Sequence, residues 1–180
     1  FVPGSLQEAA YVGENLELAA GRVLLEPRTL AKMLDALDIH PGDMVLDIAP
    51  ATGYSSAVIA RLAEAVIAVE PDASLADEAE AALDSVGATN VVVERGPAAE
   101  GAPAHGPYDA MIVQGAVQDF PPALADQLKD GGRVVALFMV GALGVVRIGV
   151  KAAGTIQWRD SFNAGAPVLD GFSARPAFAL

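Results

Sequence analysis

Short apolar runs separated by polar turns recur along this chain, and their lengths alternate between those of strands and those of helices. Met44 to Ile48, Ala65 to Val69, Val91 to Glu94, Tyr108 to Val113 and Arg133 to Val140 are short and almost continuously apolar, as strands covered on both faces are. Between them, Thr29 to Leu37 carries Leu30, Met33, Leu34 and Leu37 at helical spacing. Gly53 to Ala63 and the Ala-rich stretch Asp72 to Val86 predict two further helices, and Pro121-Pro122 opens another through Leu128. Leu143 to Val150 and Ala153 to Trp158 predict a hairpin turning near Gly154, and Ala174 to Leu180 predicts a last extended piece. Residues 1 to 27 are punctuated by Pro3, Gly4, Gly13, Gly21 and Pro27, so an irregular entry segment is expected there. Strands alternating with helices and ending in a hairpin predict an α/β fold. Its sheet is doubly wound, mostly parallel and seven-stranded, with a C-terminal antiparallel hairpin, in one domain over residues 1–180.

Composition narrows the function classes. With 180 residues, 53% of them hydrophobic, the chain has enough apolar surface for one well-packed core. A net charge of -12 without any Lys/Arg cluster argues against nucleic acid as a partner, because duplex binding draws on clustered cations to neutralise phosphates. Zero cysteines exclude disulfides, thiolate metal sites and a Cys nucleophile, and fit a reducing cytoplasm. No apolar run reaches the roughly 18 residues of a membrane span, and no signal peptide is visible, so no membrane partner is expected. The chain begins at Phe1, which leads us to expect an incomplete N-terminus. Oligomeric state is not legible.

Val45 to Tyr54 is the segment richest in chemistry: a buried strand ending in an acid, a tight turn and a helix start. Open parallel sheets bind ligands outside the carboxyl ends of their strands, which is where Asp47 and, at the end of the next strand, Glu70 stand. In such loops glycine is used where backbone approaches a ligand or takes φ > 0; Ala49 and Ala51 are expected to restrict both, and Pro50 removes a donor. Gly53 stands at the helix start, where it serves either the ligand or close helix packing. A carboxylate placed as Glu70 is can accept from ribose hydroxyls, although a solvated strand-end acid has the same sequence. Dinucleotide-binding proteins use a similar acid, but their loops need Gly-x-Gly-x-x-Gly, and Asp47-x-Ala49-x-Ala51-x-Gly53 has a different rhythm. His40 and His105 stand in turns without partners at metal-ligand spacing, so no metal is expected.

The order of these motifs resembles the class I S-adenosylmethionine-dependent methyltransferases, and within them the protein-L-isoaspartate O-methyltransferases. The resemblance covers nearly the whole chain. Phe1-Val2-Pro3 is similar to the family's Phe-Val-Pro, Gly21 to Pro27 stands where the family has Gly-Gln-Thr-Ile-Ser-Gln-Pro, and Val45 to Tyr54 aligns with Val-Leu-Glu-Ile-Gly-Thr-Gly-Ser-Gly-Tyr. Gln127 to Arg133 closely matches Gln-Leu-Lys-x-Gly-Gly-Arg.

The resemblance implies S-adenosyl-L-methionine as methyl donor, held by Asp47, Ala49, Ala51, Gly53 and Glu70, and a carboxylate in a damaged protein or peptide as acceptor. It also exposes departures. Pro97 replaces an acid that accepts from the adenine amino group, leaving Glu100 as a substitute or merely an exposed loop acid. Leu25 replaces the family's acceptor-side Ser, so no catalytic residue is assigned; Gln114, at the end of the fourth strand, is the remaining polar candidate. Arg22 is a possible anion binder or a solvated cation. A methyltransferase acting on carboxylates therefore stands beside an alternative from another class, a catalytically degenerate methyltransferase-fold binding or interaction module.

Overall fold

The computed structural model describes residues 1–174. A 3-10 helix (Gly4–Ala9) leads into a small antiparallel hairpin, β1 (Leu16–Ala19) and β2 (Arg22–Leu24), where irregular chain was expected. The hairpin turns at Gly21, whose φ of 72° suits glycine, and its strands are too short to show a period. Helix α1 (Pro27–Leu37) follows, with Pro27 in its first turn and Asp38 in left-handed conformation beyond its end.

The rest is one sheet with helices between its strands: β3 (Met44–Ile48), α2 (Tyr54–Ile59), β4 (Ala65–Glu70), α3 (Ala73–Ser85), β5 (Val91–Arg95), β6 (Tyr108–Val117), α4 (Pro122–Asp126), β7 (Leu128–Val140), β8 (Leu143–Ala152) and β9 (Thr155–Asn163). The seven strands lie in the order β5-β4-β3-β6-β7-β8-β9; the first five of that row are parallel, and β8 and β9 form the antiparallel hairpin. The sequence prediction of sheet and hairpin is met. The proposed last strand from Ala174 to Leu180 falls outside the described residues apart from Ala174.

Helix α2 stops at Ile59 rather than running to Ala63, and Asn90 supplies the reason. Its side-chain amide donates to the carbonyls of Ala60, Ala63 and Glu64 at 2.9, 3.3 and 3.1 Å, fixing a turn where helix had been expected. Helix α3 begins at Asp72, whose carboxylate accepts from the backbone of Ser74 and Leu75, a cap worth about 1 kcal/mol.

Alternation along the strands divides the core between the two faces of the sheet. Leu46, Ile48, Ile67, Val69, Met111 and Val113 pack on one face with Leu124 of α4. Val45, Val66, Ala110 and Ile112 pack on the other with Leu30, Met33 and Leu37 of α1. The same alternation places Asp47, Glu70 and Gln114 on this second face, at the carboxyl ends of β3 and β4 and, in β6, three residues before its end at Val117. There the strand order reverses between β3 and β6, which is the position of the crevice in open α/β sheets.

Candidate functional site

Asp47 and Gln114 face each other across β3 and β6. Gln114 Nε2 donates to Asp47 Oδ1 at 2.9 Å, while the hydroxyls of Ser55 and Ser56, in the first turn of α2, donate to Oδ2 at 2.6 and 2.7 Å. Gln114 is therefore neither a solvent-facing strand end nor a free acceptor ligand but part of the Asp47 cluster. Asp47 has no solvent exposure, and burial pushes its carboxyl up from 3.8 to about 6; the three donors oppose that rise and the Glu70 charge adds to it.

Glu70 is fully buried, not a solvated strand-end acid. Its oxygens accept from the backbone of Ala51 (2.8 Å) and Asp72 (3.0 Å) and from both terminal nitrogens of Arg22, at 2.5 Å to Oε1 and 2.6 Å to Oε2. Arg22 also donates to the carbonyl of Ala49 at 3.1 Å. Of the two readings the sequence leaves for Arg22, anion binder or solvated cation, the structure shows the first, turned inward: a two-point clasp across the end of β4 and the loop after β3, only 13% exposed.

The loop itself departs from expectation in an instructive way. Ala49 and Ala51 take φ of 60° and 56°, the left-handed region that glycine would occupy. Both are wholly buried, Ala49 as a member of the core. The alanines keep the glycine-like course of the chain instead of forbidding it. Gly53, with φ of 84°, lies against α3: a Cβ there would stand 3.1 Å from Ala79 Cβ and 3.4 Å from Leu83 Cδ1. Helix packing accounts for this glycine.

Beyond the Arg22–Glu70 pair opens a cavity of about 410 Å³, bordered by Arg22, Pro71, Pro97, Ala98, Ala99 and Asp170. Its size falls in the range of small-molecule pockets. Glu100 does not border it; that side chain is exposed on the far side of the loop, and its carbonyl accepts from Gln127. The segment before Phe172 closes the crevice from the side of β6. Its chain pairs with Ala116, and Leu169 packs where a Cβ on Gly115 would approach Leu169 Cγ to 2.7 Å.

On the other side, Leu25 is buried and borders two small clefts, of about 40 and about 10 Å³, with Leu24 and Tyr54. Ser55 and Gln114 reach the smaller one, and Tyr11, Leu16 and Glu14 line the larger. The histidines lie elsewhere: His105 pairs with Glu94, and His40 with Asp38 and Asp43. Among the described residues no three His, Cys, Asp or Glu side chains are grouped to hold a metal.

The clasp and the two serines escaped the sequence reading. Ser55 and Ser56 stand one turn past the loop, where a helix starting at Tyr54 aims them back at the strand end, so their spacing from Asp47 was an available signal. Nothing local in the sequence ties Arg22 to Glu70, 48 positions away.

Comparison with known proteins identifies the family and the fold. The family model described as Protein-L-isoaspartate(D-aspartate) O-methyltransferase (PCMT) matches residues 1–155. A protein-L-isoaspartate O-methyltransferase of Koribacter versatilis is 37% identical over 157 residues, covering 87% of this chain and 71% of that protein. One of Methanoculleus marisnigri is 38% identical over 136 residues, covering 76% of this chain and 62% of that protein. Across such relatives the chain spans from 55 to 71% of their length. Among solved structures, a protein-L-isoaspartate O-methyltransferase superposes with a TM-score of 0.82 at 22% identity, covering 95% of this chain and 56% of that one. A Plasmodium falciparum protein described as a β-aspartate methyltransferase, in complex with S-adenosyl-L-homocysteine, superposes with a TM-score of 0.75 at 18% identity over 89% of this chain and 81% of that one. No helix among the described residues is long and apolar enough to cross a membrane.

Proposed function

Since this chain belongs to the protein-L-isoaspartate O-methyltransferase family, we propose that it transfers a methyl group from S-adenosylmethionine to a carboxylate of a protein or peptide acceptor, of the isoaspartyl kind. The observation that carries this reading is the convergence of Asp47, Glu70 and Gln114 on one face of the sheet at the strand-order reversal, with Glu70 bonded to the Arg22 that borders a cavity of about 410 Å³.

The residues present fit the donor. Asp47, ionised above about pH 6, is an anion for an ammonium group, held in place by Ser55, Ser56 and Gln114. Glu70 carries two oxygens on a buried strand end for the ribose hydroxyls. Ala49 and Ala51 keep the loop in its glycine-like course, and Pro97, Ala98 and Ala99 offer an apolar wall for the adenine. When bound, S-adenosylmethionine supplies a methyl on a sulfonium, which a carboxylate oxygen takes while the sulfur keeps the bonding pair as a neutral thioether.

An acceptor carboxylate is already ionised near neutral pH, so no strong base is required of this chain. What it must contribute is alignment and exclusion of water. Leu25, Leu24 and Tyr54 supply a dry wall on the acceptor side. The compartment that zero cysteines fit is a reducing cytoplasm.

Calorimetric titration with S-adenosylmethionine and S-adenosylhomocysteine tests the donor half, with micromolar binding expected. Methyl ester formation on isoaspartyl peptides, and none on the normal aspartyl peptides, tests the acceptor half. Silence at millimolar ligand would instead leave a methyltransferase fold serving as a binding module.

A further inference from the structure

We infer that Arg22 is the residue that recognises the acceptor's carboxylate, and that it is held on Glu70 until donor binding releases it. The inference rests on the donor reading above and concerns what that reading leaves unassigned, the recognition of an anionic acceptor.

An anion entering a chain of net charge -12 needs a local cation. Leu25 offers no hydroxyl, and the two clefts beside it are bordered by apolar side chains together with Tyr11, Glu14, Tyr54, Ser55 and Gln114, none of them a cation. Gln114 is committed to Asp47, and so is Ser55. Among the described residues, the only cation on any wall of the cavity and the two clefts around the site is Arg22. It sits three residues before Leu25 on β2, roughly 10 Å along an extended chain, on the wall of the donor cavity.

In the free protein its guanidinium is spent on Glu70 and on the carbonyl of Ala49, while its Nε is buried without a partner among the described residues. A buried guanidinium with one donor unpaired is not in its best available position. Glu70 cannot give the same two oxygens to Arg22 and to a ribose diol. When the ribose takes them, the guanidinium loses its anion while still largely out of water, which favours a new carboxylate as partner. A planar fork then meets the acceptor carboxylate in the two-point geometry that Arg suits and Lys does not. Donor and acceptor binding are thereby coupled: Glu70 silences Arg22 before the donor arrives, so an acidic peptide gains little by entering an empty site.

The test measures binding, not turnover. Calorimetry with an isoaspartyl peptide, with and without saturating S-adenosylhomocysteine, is expected to show the peptide bound at least tenfold more tightly with the nucleoside present. The same peptide carrying a neutral carboxamide in place of that carboxylate should show no such gain. Arg22→Gln should abolish the gain while leaving S-adenosylhomocysteine bound as tightly as in wild type or more so, and Arg22→Lys should restore only part of the gain. Equal peptide affinity with and without nucleoside in wild type, a measurement that needs no variant to fold, overturns the inference and leaves the donor reading standing. So does a gain that persists in Arg22→Gln. Nucleoside binding absent from both wild type and Arg22→Gln overturns the donor reading and this inference with it.

Discussion

Asp47 sets a pH dependence whose sign and size both follow from its burial. Its carboxyl is raised from 3.8 to about 6 in the folded chain, so the folded state holds a proton that the unfolded state has already lost. Below pH 4 both states are protonated and the neutral group costs nothing. Between about pH 4 and pH 6 the unfolded state binds fewer protons than the folded one, so stability falls as pH rises. Above 6 the loss is complete. At 1.36 kcal/mol per unit of displacement, the accumulated loss is about 3 kcal/mol, the cost of keeping an ionised carboxylate in a site that Ser55, Ser56 and Gln114 only partly compensate.

Asp47→Asn removes the charge with little change of shape, so the comparison isolates this one group from the other acids. Urea unfolding at pH 4, 5, 6 and 7 should show the variant gaining on wild type by about 3 kcal/mol across the range, nearly all of it by pH 6.5. Donor affinity should run the opposite way. S-adenosylhomocysteine binding to wild type should weaken roughly tenfold per unit below pH 6, as the anion for its ammonium group is protonated, while the variant should bind weakly at every pH. A variant whose stability stays parallel to wild type from pH 4 to pH 7 would refute the assignment of a buried, titrating Asp47.

Other substitutions separate packing from binding. Gly53→Ala places a Cβ 3.1 Å from Ala79 at a φ of 84° and should cost about 1–2 kcal/mol, read as a drop in the thermal midpoint. Joint replacement Ala49→Gly and Ala51→Gly relieves about 1–2 kcal/mol of left-handed strain at each site. It gives back a similar sum in chain entropy and a buried methyl, so the midpoint should stay within about 4 °C. Because that loop already runs as glycines would make it run, calorimetry should find nucleoside affinity within about threefold of wild type; a hundredfold rise would mean that the methyls obstruct the donor. Glu70→Gln should weaken nucleoside binding by at least tenfold while His105→Ala, which only breaks an exposed pair with Glu94, leaves it unchanged; equal effects would refute the placement of Glu70 in the donor site.

The centre of the sheet was legible because β3, β4 and β6 are buried on both faces. In Val45-Leu46-Asp47-Ile48 every side chain is covered, so the strand announces itself as a continuous apolar run that no surface helix shares. Where pairing depends on distant partners the reading fell short. Strand β6 was read to Val113 and continues to Val117, because Ala116 pairs with the segment around Val168, and Gly115 leaves room there for Leu169. The hairpin of β1 and β2 was hidden by its brevity and by the irregular register between Glu17 and Ala19.

The site divides along the same line. Strand-end position pointed to Asp47 and Glu70, and the family resemblance to Gln114. What each acid is bonded to could not be read that way. The departures from the family pattern, two glycines, a hydroxyl and an acid, fall on the same two pockets, but the sequence does not say what couples them. In the folded chain the departures are not independent. The carbonyl of Ala49 and the amide of Ala51 bind the same Arg22–Glu70 pair, directly or through Glu70. The arginine in that pair lies on the same hairpin that leads to Leu25. A loop that carries alanines in left-handed conformation gains from a guanidinium bound to its carbonyl, and an acceptor side whose Leu25 lacks the family's hydroxyl gains from a cation three residues before it. One side chain, Arg22, meets both requirements, so the departures form a single rearranged site rather than a series of defects.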